Sequence, residues 1–409
     1  MTSLRSFFLV IQTLIVATLI NMATAGTIAP SLAASRNLFA ADIFQALAQT
    51  RSQENVVFSP ASIQSCLALA FLGAEAETAQ QLRSGLRLPA ALDKGSIAAD
   101  YAGFLQKNFH KDASAAAEDA PKLRMANRVY VNESLALSPK FNELAKTSFE
   151  SEAVPTKFAD SSNAVQTINT WVENETEGKI TNLLQPDAVN DETSAILVNA
   201  IYFKAKWLKP FSDFSTSNAE FHMSDGQTSS VPMMYGDERV KYGELADLDA
   251  KAIELPYKNS DLSMLVLLPN KVEGLPALEQ KLANIDLNLI VERMQSRSVD
   301  IFLPKFRIEF EVDLKAPLQK LGLVDMFSES ADFSSLFAAQ SPKQKVDDVK
   351  HKAFLDVNEA GSEAAAATFM KIVPMSLNLD QQIFKADHPF VFAIRNKEAV
   401  YFVGHVAKL

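Results

Sequence analysis

The chain has 409 residues, a formal net charge of -10, 48% hydrophobic and 22% charged residues, and one cysteine. One cysteine excludes an intramolecular disulfide framework and any Cys-x-x-Cys zinc or redox site, and the acidic balance speaks against a nonspecific hold on nucleic acid or anionic lipid. With 13 glycines and 17 prolines the chain is neither collagen-like nor disordered.

At the N-terminus, Arg5 precedes an apolar run from Phe7 to Ile20, and Ala23-Thr-Ala25 follows as a small-x-small cleavage pattern. The run carries Gln12 and two threonines and is shorter than the roughly 20 apolar residues of a membrane span. Residues 1–25 therefore read as a secretory signal peptide cut after Ala25. No second run is long enough to span a bilayer, and the ending Val403-Gly-His-Val-Ala-Lys-Leu409 matches no retention signal. A secreted, extracellular product is expected. No linker divides the remainder, so residues 26–409 are expected to form one domain.

Leu38, Ile43, Phe44 and Leu47 recur at helical spacing, and Ser59-Pro60 supplies the cap and first position of a second helix reaching Phe71. Cys66 lies in the apolar stretch Ser65 to Phe71 and reads as a buried small hydrophobe. A third helix opens near Glu75 and runs toward Leu86, with Pro89 as its stop. Ala90 to Ala120 reads as a solvent-facing helix between loops. Its Lys107, His110 and Lys111 are offset by Asp112, Glu118 and Asp119, which favours a solvated face over a polysaccharide footprint. The tripeptides Asn132-Glu-Ser134 and Asn174-Glu-Thr176 are candidate glycan acceptors.

Strand patterns dominate the later chain. Ala195 to Phe203 is apolar on both sides, as a strand covered on both faces would be, with Asn199 as a buried polar group that needs partners. Leu262 to Leu268 ends at the turn Pro269-Asn270. Ile301 to Phe310 alternates, with Phe306, Ile308 and Phe310 set against Lys305, Arg307 and Glu309. Phe390 to Ile394 and Ala399 to Val403 flank a turn and read as a hairpin. Helices are expected around Asn163 to Glu177, Leu278 to Met294 and Leu314 to Leu321. The reading is mixed α/β, with several antiparallel sheets and no repeat.

Catalytic signals are missing: there is no Gly-x-Ser-x-Gly elbow, phosphate loop, Gly-x-Gly-x-x-Gly or His-Glu-x-x-His, and the five histidines are scattered. No enzyme, cofactor or metal is expected. Asn358 to Ser376 stands apart. At period two, one face carries Ser362, Ala364, Ala366, Thr368, Met370 and Ile372, all uncharged, and the other carries Glu363, Ala365, Ala367, Phe369 and Lys371. The first face suits burial inside a sheet.

These stretches, together with Asn55 to Ile63, Ile168 to Val172, Thr176 to Ile180, Leu197 to Trp207, Val231 to Met234, His351 to Phe354 and His388 to Phe390, resemble the serpins over the whole mature length. The resemblance implies an α+β fold of three β-sheets and about nine helices, with an exposed reactive loop at about residues 358–382. It implies a monomer that is no enzyme but the bait of a serine protease, which is trapped as a covalent acyl-enzyme when the cut loop enters the main sheet. The implied hinge is Glu359, Gly361, Ser362, Glu363 and Ala364, Ala365, Ala366 and Ala367; Ser362 stands where the family more often has threonine. The resemblance assigns Ser59, Ser62, Asn199 and His351 to the shutter where strands part. Trp207, Lys305 and Glu359 fall to the breach at the top of the sheet, with a Glu359–Lys305 ion pair. Counting from Gly361 places the bait bond at Met375-Ser376, with Leu377 or Leu379 as alternatives because the segment up to Pro389 is long. Such a bond suits elastase-like or chymotrypsin-like targets. A carrier of a small apolar ligand, a storage protein or a chaperone remains the other reading.

Overall fold

The computed structural model describes residues 32–109, 121–338, 344–362 and 381–409. The proposed signal peptide, the loop from Glu363 to Asp380 and the charged stretch at His110 to Ala120 lie outside them. Helix α1 (Leu32–Ala48) leads to strand β1 (Val56–Phe58), then α2 (Pro60–Gly73), α3 (Ala76–Gly85) and α4 (Lys94–Phe109). Next come β2 (Lys122–Asn132), α5 (Pro139–Phe149), β3 (Ala153–Thr156), α6 (Ser161–Glu175) and β4 (Ala195–Lys206). The central part holds β5 (Ser217–His222), β6 (Thr228–Leu245), β7 (Ala250–Pro256), β8 (Ser263–Pro269), α7 (Leu275–Lys281), α8 (Leu287–Glu292), β9 (Gln295–Pro304), β10 (Phe306–Asp313) and α9 (Lys315–Lys320). The last part holds β11 (Asp348–Asn358), β12 (Gly361–Ser362), β13 (Gln382–Lys385), β14 (Phe390–Arg395) and β15 (Val400–Val406).

The described residues thus contain nine α-helices, but hydrogen bonding joins their strands into two sheets where three were expected. The larger runs β1-β15-β14-β8-β7-β6-β9-β13, with β5 paired to β6; the smaller runs β10-β11-β12-β4-β2-β3. The physical reason is β6. Its first residues bond β5, Met233 to Tyr242 bond β9 and Lys241 to Leu245 bond β7, so one continuous strand carries the ladder across without a break.

Local chemistry explains most boundaries. Ser59 Oγ accepts the Ser62 N–H and Pro60 takes the first helical position, which fixes the start of α2. Helix α3 ends at Gly85, before Pro89, because Arg87 turns into left-handed space at φ 56°. The region expected as one helix from Leu278 to Met294 is two, α7 and α8, divided at Asn284 with φ 59°. Helix α4 is not solvent-facing throughout: Ile97, Tyr101, Phe104, Leu105 and Phe109 are buried. The alternating run around Lys305 belongs to two strands, β9 in the larger sheet and β10 in the smaller, and Lys305 stands at the crossing between them.

Strand β4 separates two apolar clusters. Leu197, Ile201 and Phe203 join the core that includes α2, while Ile196, Val198, Ala200 and Tyr202 join the one beneath α6. This is the period-two alternation of a strand covered on both faces.

Candidate functional site at the parting line of the smaller sheet

Strands β4 and β11 run parallel and pair directly from Ile196 opposite Asp348 to Tyr202 opposite Phe354. Above that point they separate, and β12 lies between them. Gly361 and Ser362 pair with Asn358 and Val357 on one side and with Lys206 and Ala205 on the other, antiparallel to both. Gly361 has φ 152°, and a Cβ there would fall 2.0 Å from the Ala205 carbonyl oxygen, so only glycine passes. Ser362 is fully buried, with its hydroxyl 2.8 Å from that of Tyr257.

Below the wedge, Asn127 on β2, Asn199 on β4 and His351 on β11 form one row across three strands. The Ser59 N–H donates to His351 Nε2 at 3.1 Å. Nε2 is therefore the acceptor, so Nδ1 carries the proton and donates to Asn199 Oδ1. Asn199 Nδ2 in turn donates to Ser62 Oγ at 2.6 Å and to Asn127 Oδ1. All five side chains are buried. Burial holds the imidazole neutral, with its pKa pushed down to about 3. Ser59, Ser62, Asn199 and His351 were singled out in the sequence; Asn127 was not. The only signal for it was a small amide among the alternating residues of β2.

At the upper end, the Glu359 carboxylate lies 2.8 Å from Lys305 Nζ and accepts the Thr216 hydroxyl at 2.8 Å. Burial opposes this carboxylate, but Lys305 and Thr216 outweigh it, and its pKa lies below the ordinary value. Trp207 stacks on Tyr257 with ring centroids 4.6 Å apart. Its indole N–H donates to the Asn358 carbonyl at 3.0 Å, and its backbone N–H to that of Ala360 at 2.9 Å. Thr216 and Tyr257 are members of this site that the sequence did not mark.

Of the expected hinge, Glu359, Gly361 and Ser362 lie in this arrangement, whereas Glu363 and Ala364 to Ala367 fall outside the described residues. So do Met375, Ser376, Leu377 and Leu379. Asn132 is half-buried, and its amide donates to the Thr193 carbonyl at 3.1 Å while its oxygen accepts from Ser134. Asn174 is exposed on α6. Cys66 is a free, buried thiol with its pKa pushed up to about 12 by burial. Lys107 pairs with Glu398, so that cation is engaged. Among the described residues there is no group of acids, histidines and cysteines able to hold a metal ion, and no helix long and apolar enough to cross a membrane.

A family model described as serpin (serine protease inhibitor) matches residues 34–409. The chain is a serpin. It is 40% identical to serine protease inhibitor 42Dd of Drosophila melanogaster over 89% of this chain and 94% of that protein. It is 35% identical to the leukocyte elastase inhibitor of Bos taurus, over 92% and 99%. The human thyroxine-binding globulin complexed with thyroxine superposes with a TM-score of 0.81 at 28% identity, covering 92% of this serpin and 98% of that chain. At family level serpins are inhibitors of serine proteases rather than enzymes, and the family also includes members that carry ligands.

Proposed function

We propose that this serpin is a secreted, monomeric suicide-substrate inhibitor of elastase-like or chymotrypsin-like serine proteases. The observation that carries the reading is the position of Gly361 and Ser362 between β4 and β11. A strand that entered by extending that register downward would bring Thr368 opposite both Asn199 and His351. The residues expected to follow the hinge are small or neutral on the face that would be buried.

The chemistry follows from that geometry. The protease serine attacks the carbonyl carbon of Met375, the bond to the Ser376 nitrogen breaks, and an ester joins the inhibitor to the enzyme. The freed strand enters the sheet before water resolves the ester. A dozen entering residues with net hydrogen bonds of about 0.5–1.5 kcal/mol each supply on the order of 10 kcal/mol, comparable to the stability of a domain. Energy of that size suffices to distort the attached enzyme. Glycans on Asn132 and Asn174 and removal of residues 1–25 belong to the same proposal.

The test is to incubate the mature chain with an elastase, chymotrypsin and trypsin, then look for an SDS-resistant complex and sequence the released C-terminal peptide. A complex with a peptide starting at Ser376 supports the reading. Clean cleavage without a complex across the panel overturns it. A carrier role is the second reading, motivated by the thyroxine-binding relative. An apolar cavity among Ala40, Phe44, Leu282, Leu287, Val391 and Val403, of about 20 Å³, is itself far below the several hundred of a small-molecule site.

A further inference from the structure

We infer that Asp347 is a strap across the lower end of the parting line and controls how readily a strand completes its entry between β4 and β11. The inference rests on the insertion reading above. Asp347 immediately precedes β11. Its backbone N–H donates to the Ala195 carbonyl at 2.9 Å, and its carboxylate oxygen Oδ2 accepts the N–H of Ala195 at 3.2 Å and of Ser194 at 2.7 Å. One residue of the β11 side thus takes both backbone groups of Ala195, the first residue of β4. Lys315 Nζ donates to the Asp347 carbonyl at 3.2 Å and ties the strap to α9.

A carboxylate accepting amide protons makes shorter and stronger bonds than a neutral carbonyl. In the rows above, an entering strand replaces one backbone ladder with two. At Asp347 it must also displace a charged acceptor from two amides. An entering strand that kept the register of Gly361 and Ser362 down the gap would bring Ile372 opposite both Ala195 and Asp347. Release of the strap is therefore a late step, reached only by the last residues before Met375. Asp347 is a positioning residue: it touches no protease and acts through the separation of two strands.

The test uses the full mature chain and a synthetic peptide with the sequence of residues 362–375, which needs no protease to enter the gap. Uptake is followed on native gels for wild type, Asp347→Ala, Asp347→Asn and, as a control, Asp286→Ala, whose carboxylate bonds Asn288. Asp347→Ala is expected to take up peptide about tenfold faster, Asp347→Asn to fall between, and Asp286→Ala to match wild type. Amide hydrogen exchange at Ala195 to Val198 and at Val349 to His351 is expected to rise in Asp347→Ala alone. A wild-type uptake rate in Asp347→Ala, or equal acceleration in Asp286→Ala, overturns the strap. If no variant takes up peptide, the insertion reading fails, and exchange then decides the strap by itself: unchanged exchange at Ala195 sinks it.

Discussion

His351 and Asn199 sit opposite each other on parallel strands, and the imidazole Nδ1–H donates to the carboxamide oxygen across the line where the sheet parts. That bond needs a neutral ring whose other nitrogen accepts from Ser59. The folded-state pKa is about 3, whereas an unfolded histidine titrates near 6.5. Between those values the unfolded chain binds a proton that the folded chain refuses, so stability falls as pH drops through 6.5 and continues to fall toward 3. The expected loss at pH 5 is about 2 kcal/mol. Urea midpoints of wild type and His351→Gln at pH 7.5 and pH 5 check this; an equal acid loss in both would assign it elsewhere.

Asn127 is expected to matter as much as its better-marked neighbours. Asn127→Ala removes an acceptor of Asn199 and leaves a fully buried amide short of a partner, at a cost of about 1–3 kcal/mol. The urea midpoint reads it directly. A change of a few tenths would mean that water fills the space.

Ser362 tests whether the hinge must be small. Ser362→Arg places a guanidinium beside Tyr257 in a fully buried position, where burying a charge is costly. The variant is expected to be cut by the target protease yet to form at least about tenfold less SDS-resistant complex, since insertion then competes poorly with hydrolysis of the ester. Undiminished complex would contradict the buried hinge.

The Glu359–Lys305 pair holds the turn that feeds β12. Lys305 is partly exposed, so Lys305→Ala is expected to cost only about 1 kcal/mol. The Glu359 pKa is depressed, so its contribution is complete above the ordinary carboxylate range and disappears as pH falls through the folded value. A double-mutant cycle with Glu359→Gln at pH 7.5 isolates the coupling, and a zero coupling would leave Thr216 as the partner that counts.

Met375 makes a chemical prediction. Oxidation to the sulfoxide turns an apolar side chain polar and is expected to slow association with an elastase-like enzyme. Mass spectrometry confirms the oxidation site, and association rates before and after give the answer. An unchanged rate would move the bait bond to Leu377 or Leu379.

Much of this architecture was readable residue by residue. Ser59-Pro60 marked the start of α2, and the uninterrupted apolar run from Ala195 marked a strand with a core on each face. What stayed hidden depends on distance or phase. Asn127 meets Asn199 from 72 residues away, and nothing local to β2 announces the partner. The run from Ile301 to Phe310 looked like one strand because β9 and β10 both alternate, and only Pro304 hinted that Lys305 crosses between sheets. The count of sheets failed because whether β6 bends or breaks is settled by its neighbours. Thr216 and Tyr257 carried no sign because their partners, Glu359 and Ser362, lie more than a hundred residues away.

The direction of β4 and β11 carries a further consequence. They run the same way, and parallel pairing is the slightly weaker kind. Any strand that follows Gly361 and Ser362 downward is antiparallel to both, so each row it fills exchanges one weaker seam for two stronger ones. On the insertion reading, the closed sheet is the less favourable tiling of its own strands, held in place by a histidine, two asparagines and an aspartate.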